Sequence, residues 1–447
     1  MSNIFSEIWE MEDLRKRVLF TLGMLGVYRM GIFVPAPGVD RQALADFVSN
    51  QENTLFGLYN MFSGGALAQF SVFFLGIMPY ITASIIMQLF AEMLPALKRI
   101  KEEGQQGQNR ITQYTRYLTI LISIAQSSAM AVGMEQMQFN GSMVVITPGW
   151  AFRAMTVLTM TAGACFVMWL GEQMTERGIG NGASIIITCG IIAGLPAGAT
   201  QLYQLVNIGD MVLLEAVMLL GFMFIVIFGI VFIERGQRRV PLQYAKRVMG
   251  STVYEGQTTY LPLKVNTAGV IPPIFASSLL MFPGTISQFL PDNAAVNALQ
   301  DALSFGSWLY NAVYAVLIVF FAFFYTAITF NPEDVADNLK KQGGFIPRVR
   351  PGRETARYIE WLLTRLTAGG SVYLAAVCVL PTLLIVNFNL PFYFGGTGLL
   401  IIVGVSLDTV GQIQAQLSTR HYDAVPGPSG GRVKGRRRQL GGQGPFV

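Results

Sequence analysis

The sequence predicts an all-α integral membrane protein of ten transmembrane helices arranged as two inverted five-helix halves. Three observations predict this class. Only 13% of the 447 residues are charged and 52% are hydrophobic, whereas soluble chains carry about a quarter charged residues. The apolar residues fall into blocks of about 20, the length that a helix needs to cross a bilayer. Basic residues alternate with these blocks in a way that assigns each connection to one side.

Ten apolar blocks satisfy the length requirement. Met211 to Ile233 contains a single charge, Glu215, and Trp308 to Thr329 contains none. The predicted spans are Val18–Val34, Ser71–Met93, Tyr117–Met134, Ala151–Leu170, Ala183–Tyr203, Met211–Ile233, Thr267–Leu290, Trp308–Thr329, Ala368–Val386 and Phe392–Leu407.

The orientation of the spans follows from Lys and Arg, which are retained on the cytoplasmic side during insertion. With both termini in the cytoplasm, all but three of the 31 basic residues lie on that side. The three exceptions are Arg41 in an external loop and Arg29 and Arg153 near the external ends of spans. The basic charge therefore indicates topology, and nucleic-acid binding is the weaker interpretation because these charges do not form one surface.

The first span resembles a cleavable signal peptide, since Arg15, Lys16 and Arg17 precede an apolar run. Arg29 interrupts that run, and the Pro35-Ala36-Pro37 sequence is a poor cleavage site. Removing the span would also upset the alternation of charge. We therefore expect it to be retained.

The sequence offers little catalytic chemistry. Its only histidine is His421 in the tail, and its three cysteines, Cys165, Cys189 and Cys378, sit inside apolar blocks. No GxxxxGK[ST] phosphate loop occurs. The pattern favours neither an enzyme nor a metal or cofactor site, and a membrane enzyme is the third-ranked hypothesis.

The lack of catalytic chemistry favours a protein that forms a passage through the membrane. A secondary solute transporter is the alternative. Ion-coupled transporters keep ionisable groups near the middle of the membrane, and this sequence has very few there. Asp408, near the inner end of the last span, is the one candidate for an ion site. Its position close to the cytoplasmic boundary favours an ordinary boundary carboxylate.

Residues 59–70 form an apolar segment of about twelve residues, which is too short to cross the membrane. It is either an external amphipathic turn or a re-entrant half-helix, and the latter is tolerated only where it is buried in protein or lines a cavity. Composition leaves both alternatives open.

Ile81 and Ile85 are four residues apart, as are Ile187 and Ile191, so each pair lies on one helix face. Such pairs usually face lipid or pack against other helices. Pro272-Pro273 predicts a break or bend in the seventh span.

Ten spans divide into five and five around the short external segment 204–210. Because each half has an odd number of spans, the halves run in opposite directions across the bilayer, which is the arithmetic of an inverted repeat. Two halves facing each other leave a pathway between them.

Several strings, in order along the chain, resemble the SecY family, the channel subunit of the bacterial Sec protein translocase. The similarity extends from about Met11 to Tyr422. The strings are Asn60-Met-Phe-Ser-Gly-Gly-Ala-Leu67, Leu75-Gly-Ile-Met-Pro-Tyr-Ile81, Met168-Trp-Leu-Gly-Glu-Gln-Met-Thr-Glu-Arg-Gly-Ile-Gly-Asn-Gly182, Glu234-Arg-Gly-Gln-Arg-Arg239, Leu261-Pro-Leu-Lys-Val-Asn266 and Pro391-Phe-Tyr-Phe-Gly-Gly-Thr397.

The resemblance implies a clamshell around an hourglass pore, closed externally by a short re-entrant plug helix at about residues 60–70. It implies that the plug contains Met61, Phe62, Ser63, Gly64, Gly65, Ala66 and Leu67. It also implies an apolar pore ring, which we call the isoleucine ring, at Ile81, Ile85, Ile187, Ile191, Ile274 and Ile401. The adjacent prolines before Ile274 exceed the single proline expected there.

By the same resemblance, the second, third, seventh and eighth spans form a lateral gate to lipid. The basic cytoplasmic loops, residues 234–266 and 331–365, are expected to dock the SecA motor ATPase and the ribosome. The resemblance places this contact at Arg238, Arg239, Lys246, Arg247, Arg348 and Arg350. The other implied partners are the small membrane subunits SecE and SecG, signal peptides and nascent chains, and the bilayer itself.

The expected organisation follows from these assignments. Residues 1–17 form the cytoplasmic N-terminus, 18–203 the N-terminal half, 204–210 the external hinge and 211–417 the C-terminal half. Residues 418–447 form a basic tail rich in Gly and Arg, which has no family counterpart and is typical of disorder. The expected location is the bacterial cytoplasmic (inner) membrane.

Overall fold

A helix lies at each of the ten blocks that the sequence predicts as spans. The computed structural model describes residues 11–39, 44, 63–67, 69–136, 138–139, 142–143, 145–209, 212–244, 247–249, 252–254, 258–287, 307–388 and 396–423. The helices and strands are numbered below in chain order.

The N-terminal half contains six described helices and one short hairpin. The helices are α1 (Glu12–Ile32), α2 (Met78–Met93), α3 (Pro95–Glu102), α4 (Gln105–Gln136), α5 (Trp150–Arg177) and α6 (Gly182–Ile208). The antiparallel strands β1 (Gln138–Phe139) and β2 (Ser142–Met143) form the hairpin between α4 and α5.

The C-terminal half begins with α7 (Leu213–Glu234). Four strands follow: β3 (Gln237–Tyr244), β4 (Arg247–Met249), β5 (Thr252–Tyr254) and β6 (Thr258–Lys264). The remaining elements are α8 (Ile271–Ser287), α9 (Trp308–Thr329), α10 (Pro332–Lys341), β7 (Gly344–Phe345), α11 (Arg353–Phe388) and α12 (Gly396–Asp423).

The helices confirm the predicted membrane fold class, but not the count of ten crossings. Within the described residues, seven helices are long and apolar enough to span, and the pair α2 and α3, bent by 96°, would add an eighth. The bend follows from Pro95, because Leu94 before it takes an extended conformation that interrupts the helix. The helix α1 carries several charges, and α8 is apolar over a shorter length, so neither meets the criterion.

Two local predictions differ from the structure. The helix α6 continues to Ile208 and ends at Gly209, which has φ +90°, so most of the predicted external connection 204–210 is helical. The second difference concerns Pro272-Pro273, which does not break the seventh span. The helix α8 begins at Ile271, which puts both prolines in its first turn, where a missing backbone N–H costs no intrahelical hydrogen bond.

Helix contacts join the two halves. The helix α12 packs on α6, α8 packs on α2, and α7 contacts α6. Inside the N-terminal half, α4 packs on α2 and α5, while inside the C-terminal half α9 packs between α8 and α11. Glycine allows one of the closest approaches, since a Cβ added to Gly404 of α12 would lie 2.2 Å from a methyl carbon of Val270, just before α8.

A small β-sheet joins the two loops of the C-terminal half that the sequence predicts to be cytoplasmic. Its strands are ordered β6-β3-β7, all antiparallel, with Gln243 of β3 opposite Phe345 of β7. Alternate residues of β3 face inward, and Val240 and Leu242 are buried against Ile359 and Leu363 of α11. The two loops therefore share one apolar core.

Candidate functional site

The six isoleucines of the predicted ring come together in one buried apolar cluster. They come from four helices, namely α2, α6, α8 and α12, and none exposes more than 8% of its surface. The cluster therefore joins both halves of the molecule. The residues are Ile81, Ile85, Ile187, Ile191, Ile274 and Ile401.

Local sequence features orient these side chains. Asn181 caps α6 by accepting hydrogen bonds from the backbone N–H groups of Ala183 and Ser184, which fixes where that helix starts. The four-residue spacing within α2 and α6 then turns each isoleucine pair to one face. Gly404, three residues after Ile401, brings α12 close to the start of α8.

The described part of the predicted plug segment is a series of turns, which corrects the expectation of a helix there. Gly64 and Gly65 have φ +70° and +90°, and Phe70 has φ +44°, values that a right-handed α-helix does not contain. Glycine takes such angles without steric cost. Met61 and Phe62 lie outside the described residues.

The plug segment lies against the isoleucine cluster. Ser63, Ala66 and Leu67 are buried, and Ala66 belongs to the same cluster as the isoleucines. A Cβ added to Gly64 would be 3.0 Å from Cα of Gly190, the residue before Ile191 on α6. Leu67 packs instead into a second apolar cluster with Phe70, Phe74, Val145 and Phe152.

Two residues of α1, which the sequence did not single out for this role, contact the plug segment. The hydroxyl of Tyr28 donates to the backbone carbonyl of Ser63 at 3.1 Å, and Nη1 of Arg29 donates to that of Gly64 at 3.0 Å. The available signal was the position of Arg29, a charge inside an apolar run.

Asp408 lies in an exposed position, which does not suit an ion site. Its side chain is 60% exposed, and Oδ1 lies 3.4 Å from Nζ of Lys264. Elsewhere, Arg116 of α4 pairs with Glu172 of α5, and Arg153 pairs with Glu135 where the end of α4 meets the start of α5. The transporter alternative therefore gains no support.

The predicted docking residues lie on the two loops that the β-sheet joins. Arg238 and Arg239 are exposed on β3, and Arg348 and Arg350 are exposed after β7. The pairing of β3 with β7 holds both loops in one sheet. Arg247 lies on β4, although its side chain falls outside the described residues, as does the whole of Lys246.

The apolar helices and the buried isoleucine cluster between the two halves, with the glycine turns that lie against it, define a membrane channel. The SecY family model matches residues 71–410. The chain belongs to the SecY family, and it is the pore-forming subunit for protein translocation.

Curated relatives match nearly the whole chain. The protein translocase subunit SecY of Escherichia coli strain K12 is 47% identical over 416 residues, covering 92% of this chain and 94% of the relative. The corresponding subunit of Vibrio cholerae is 46% identical over 421 residues, with 93% and 94% covered. That of Aquifex aeolicus is 44% identical over 424 residues, with 94% and 99% covered.

Solved structures share the fold. A protein-conducting channel superposes with a TM-score of 0.64 at 16% identity, covering 92% of this chain and 94% of that one. A SecY structure, described as one whose plug domain stabilises the closed channel and maintains a membrane seal, gives 0.63 at 17% identity with the same coverage. Sec61 in the canine ribosome-channel complex gives 0.59 at 16% identity, again with 92% and 94% covered.

Proposed function

We propose that this chain passes unfolded, signal-bearing polypeptides across the bacterial cytoplasmic membrane and releases apolar segments sideways into lipid. One observation carries the proposal: six isoleucines from both halves meet in one buried cluster beneath the plug segment. The chain works as a passive passage with both termini in the cytoplasm.

The isoleucine ring acts as a seal of variable width. Branched apolar side chains exclude ions because a narrow apolar constriction dewets. They also offer neither charge nor hydrogen bond to hold a passing chain. A ring with these properties admits polypeptides of different sequence and closes behind them.

The boundary between α2 and α8 is the proposed lateral gate, with α4 and α9 flanking it. The contact of α8 with α2 supports this assignment because it is one of the places where the two halves meet. A nascent helix of about 20 apolar residues gains free energy by moving from the pore to hydrocarbon. Separation of α8 from α2 would open that route.

Energy comes from partners, and the chain itself is not an enzyme. The exposed arginines at 238, 239, 348 and 350, on one sheet-linked surface, support docking of the SecA motor ATPase and the ribosome. The solved Sec61 channel is a ribosome complex, which supports the second partner. The small membrane subunits SecE and SecG complete the assembly.

Reconstitution tests the function directly. Proteoliposomes containing this chain, SecE, SecG and SecA should import a precursor with a signal peptide when ATP is present. Matched vesicles that lack only this chain, and a precursor that lacks only its signal, should show no import. Absence of import with an active motor would contradict the proposal, and saturable solute uptake abolished by Asp408→Asn would favour a transporter.

A further inference from the structure

Two consecutive residues of α1 hold two consecutive backbone carbonyls of the plug segment. Tyr28 donates its hydroxyl hydrogen to the carbonyl oxygen of Ser63 at 3.1 Å, and Arg29 donates from Nη1 to that of Gly64 at 3.0 Å. We propose that Tyr28 and Arg29 form a latch that positions the plug and sets how readily it leaves the pore. The inference rests on the proposed function, since a latch has meaning only if residues 60–70 are a plug.

The glycine turn makes these carbonyls available. Gly64 has φ +70°, and a Cβ there would lie 3.0 Å from Cα of Gly190 and 3.2 Å from Nη1 of Arg29. A larger residue would therefore press against both α6 and the guanidinium. Because Gly64 has no side chain, the turn fits between α1 and α6 without displacing either, and its carbonyl lies within reach of Arg29.

Tyr28 is itself fixed in place. Its side chain is fully buried and stacks on Phe73, with ring centroids 6.1 Å apart and an angle of 5° between the planes. Gly31 allows α1 to lie against the ring of Phe73, since a Cβ on Gly31 would come within 1.9 Å of that ring. A hydroxyl held this rigidly loses little entropy when it donates to Ser63.

Arg29 is a charged residue inside an apolar span, which is a position typical of functional groups. A cation within a span is costly and usually has a named partner. Within the described part of the chain, Arg29 forms no ion pair with a carboxylate, and it donates a hydrogen bond to the plug carbonyl of Gly64. A charge-assisted hydrogen bond to a carbonyl is stronger than a neutral one, yet it does not lock the plug as a buried ion pair would.

The latch joins the plug to the N-terminal half alone. Both donors lie on α1, and the contact at Gly190 is on α6 of the same half. Separation of the halves at α2 and α8 therefore leaves these two hydrogen bonds intact. Plug release needs a second event that breaks them, so pore widening and plug departure are separate steps.

Ion leak through proteoliposomes that contain the full chain with SecE and SecG tests the latch. Removing a neutral hydrogen bond with Tyr28→Phe should raise the leak about fivefold, and removing the charged donor with Arg29→Gln should raise it about tenfold or more. Arg29→Lys should restore much of the seal. Tyr203→Phe and Arg177→Gln, at exposed positions, are the matched controls and should leak like the original chain.

Signal stringency provides a second readout that a merely structural role would not change. The Tyr28 and Arg29 variants should import a precursor with a weakened signal, whereas the controls should reject it. Unchanged leak and unchanged stringency in Tyr28→Phe, Arg29→Gln and the double variant, each monodisperse by size exclusion, would overturn the latch. If Arg29→Gln does not fold, Tyr28→Phe decides, because it removes only one oxygen atom. Normal precursor import by the unsubstituted chain in the same vesicles separates failure of the latch from failure of the proposed function.

Discussion

Replacing Ile187 with asparagine should open the seal. The side chain exposes only 1% of its surface and belongs to the cluster that contains the other five ring isoleucines. An amide placed there meets apolar side chains, and burying such a group without a partner costs about 1–3 kcal/mol. Hydration of the pore relieves that cost. The closed state should therefore lose population relative to the open state by about fivefold to a hundredfold.

Ion conductance of proteoliposomes is the assay for this prediction, with import of a weak-signal precursor as the second measurement. Ile187→Leu keeps the volume and the apolar character, so it should retain the seal. Ile186→Asn is the sharper control. Ile186 is equally buried and belongs to the same apolar cluster, but it is not a ring position, and its Cδ1 lies near Gly171 of α5, 3.6 Å from where a Cβ would be. Equal leak from Ile186→Asn and Ile187→Asn would refute the reasoning, because the effect would then come from general loss of packing.

Three further substitutions test the packing and the contact between halves. Gly163→Leu should prevent folding or lower thermal stability severely, because even a Cβ there would lie 1.9 Å from a backbone carbonyl oxygen. Gly23→Leu is its control, since a Cβ at Gly23 would meet nothing within 4 Å. Thermal unfolding in detergent measures both variants. Ile359→Ala, in the apolar core that the two sheet-linked loops share, should cost about 2–5 kcal/mol in the same assay, and a change below 1 kcal/mol would contradict the packing described. Gln412→Ala should cost only about 0.5–1.5 kcal/mol, since it removes an exposed 2.9 Å hydrogen bond from the N–H of Gly180 that crosses between the halves. Gln412→Glu keeps an acceptor and should behave like the original chain.

The helices were predictable because membrane insertion imposes a length and a composition on each span. A helix is present at every predicted block, although boundaries moved where polar residues continue a helix, as in α4, which begins at Gln105. The prolines at 272 and 273 were misjudged because their effect depends on where the helix starts. In the first turn they remove no hydrogen bond, and the sequence alone does not mark Ile271 as that start.

The residues of the candidate site were predictable from the sequence, but several of the contacts between them were not. Resemblance to the family named the six isoleucines, and the structure brings them into one cluster. The conformation of the plug segment was missed because two adjacent glycines permit left-handed turns as readily as a half-helix, and neighbouring elements decide between them. Tyr28 and Arg29 were missed because their partners are backbone carbonyls, which leave no pattern in sequence.

The shared sheet under the C-terminal half has a mechanical consequence. The strand β6 ends at Lys264, and α8 begins only seven residues later at Ile271. Asn266 lies between them and donates to Oε1 of Glu234 at 2.6 Å and to the carbonyl of Gly269 at 3.0 Å, which makes this connection short and braced. A displacement of β3 or β7 is therefore transmitted to α8, the helix that carries Ile274. If a substrate in the pore also favours outward movement of α8, thermodynamic reciprocity requires that a partner whose binding favours the same movement binds more tightly to the occupied channel.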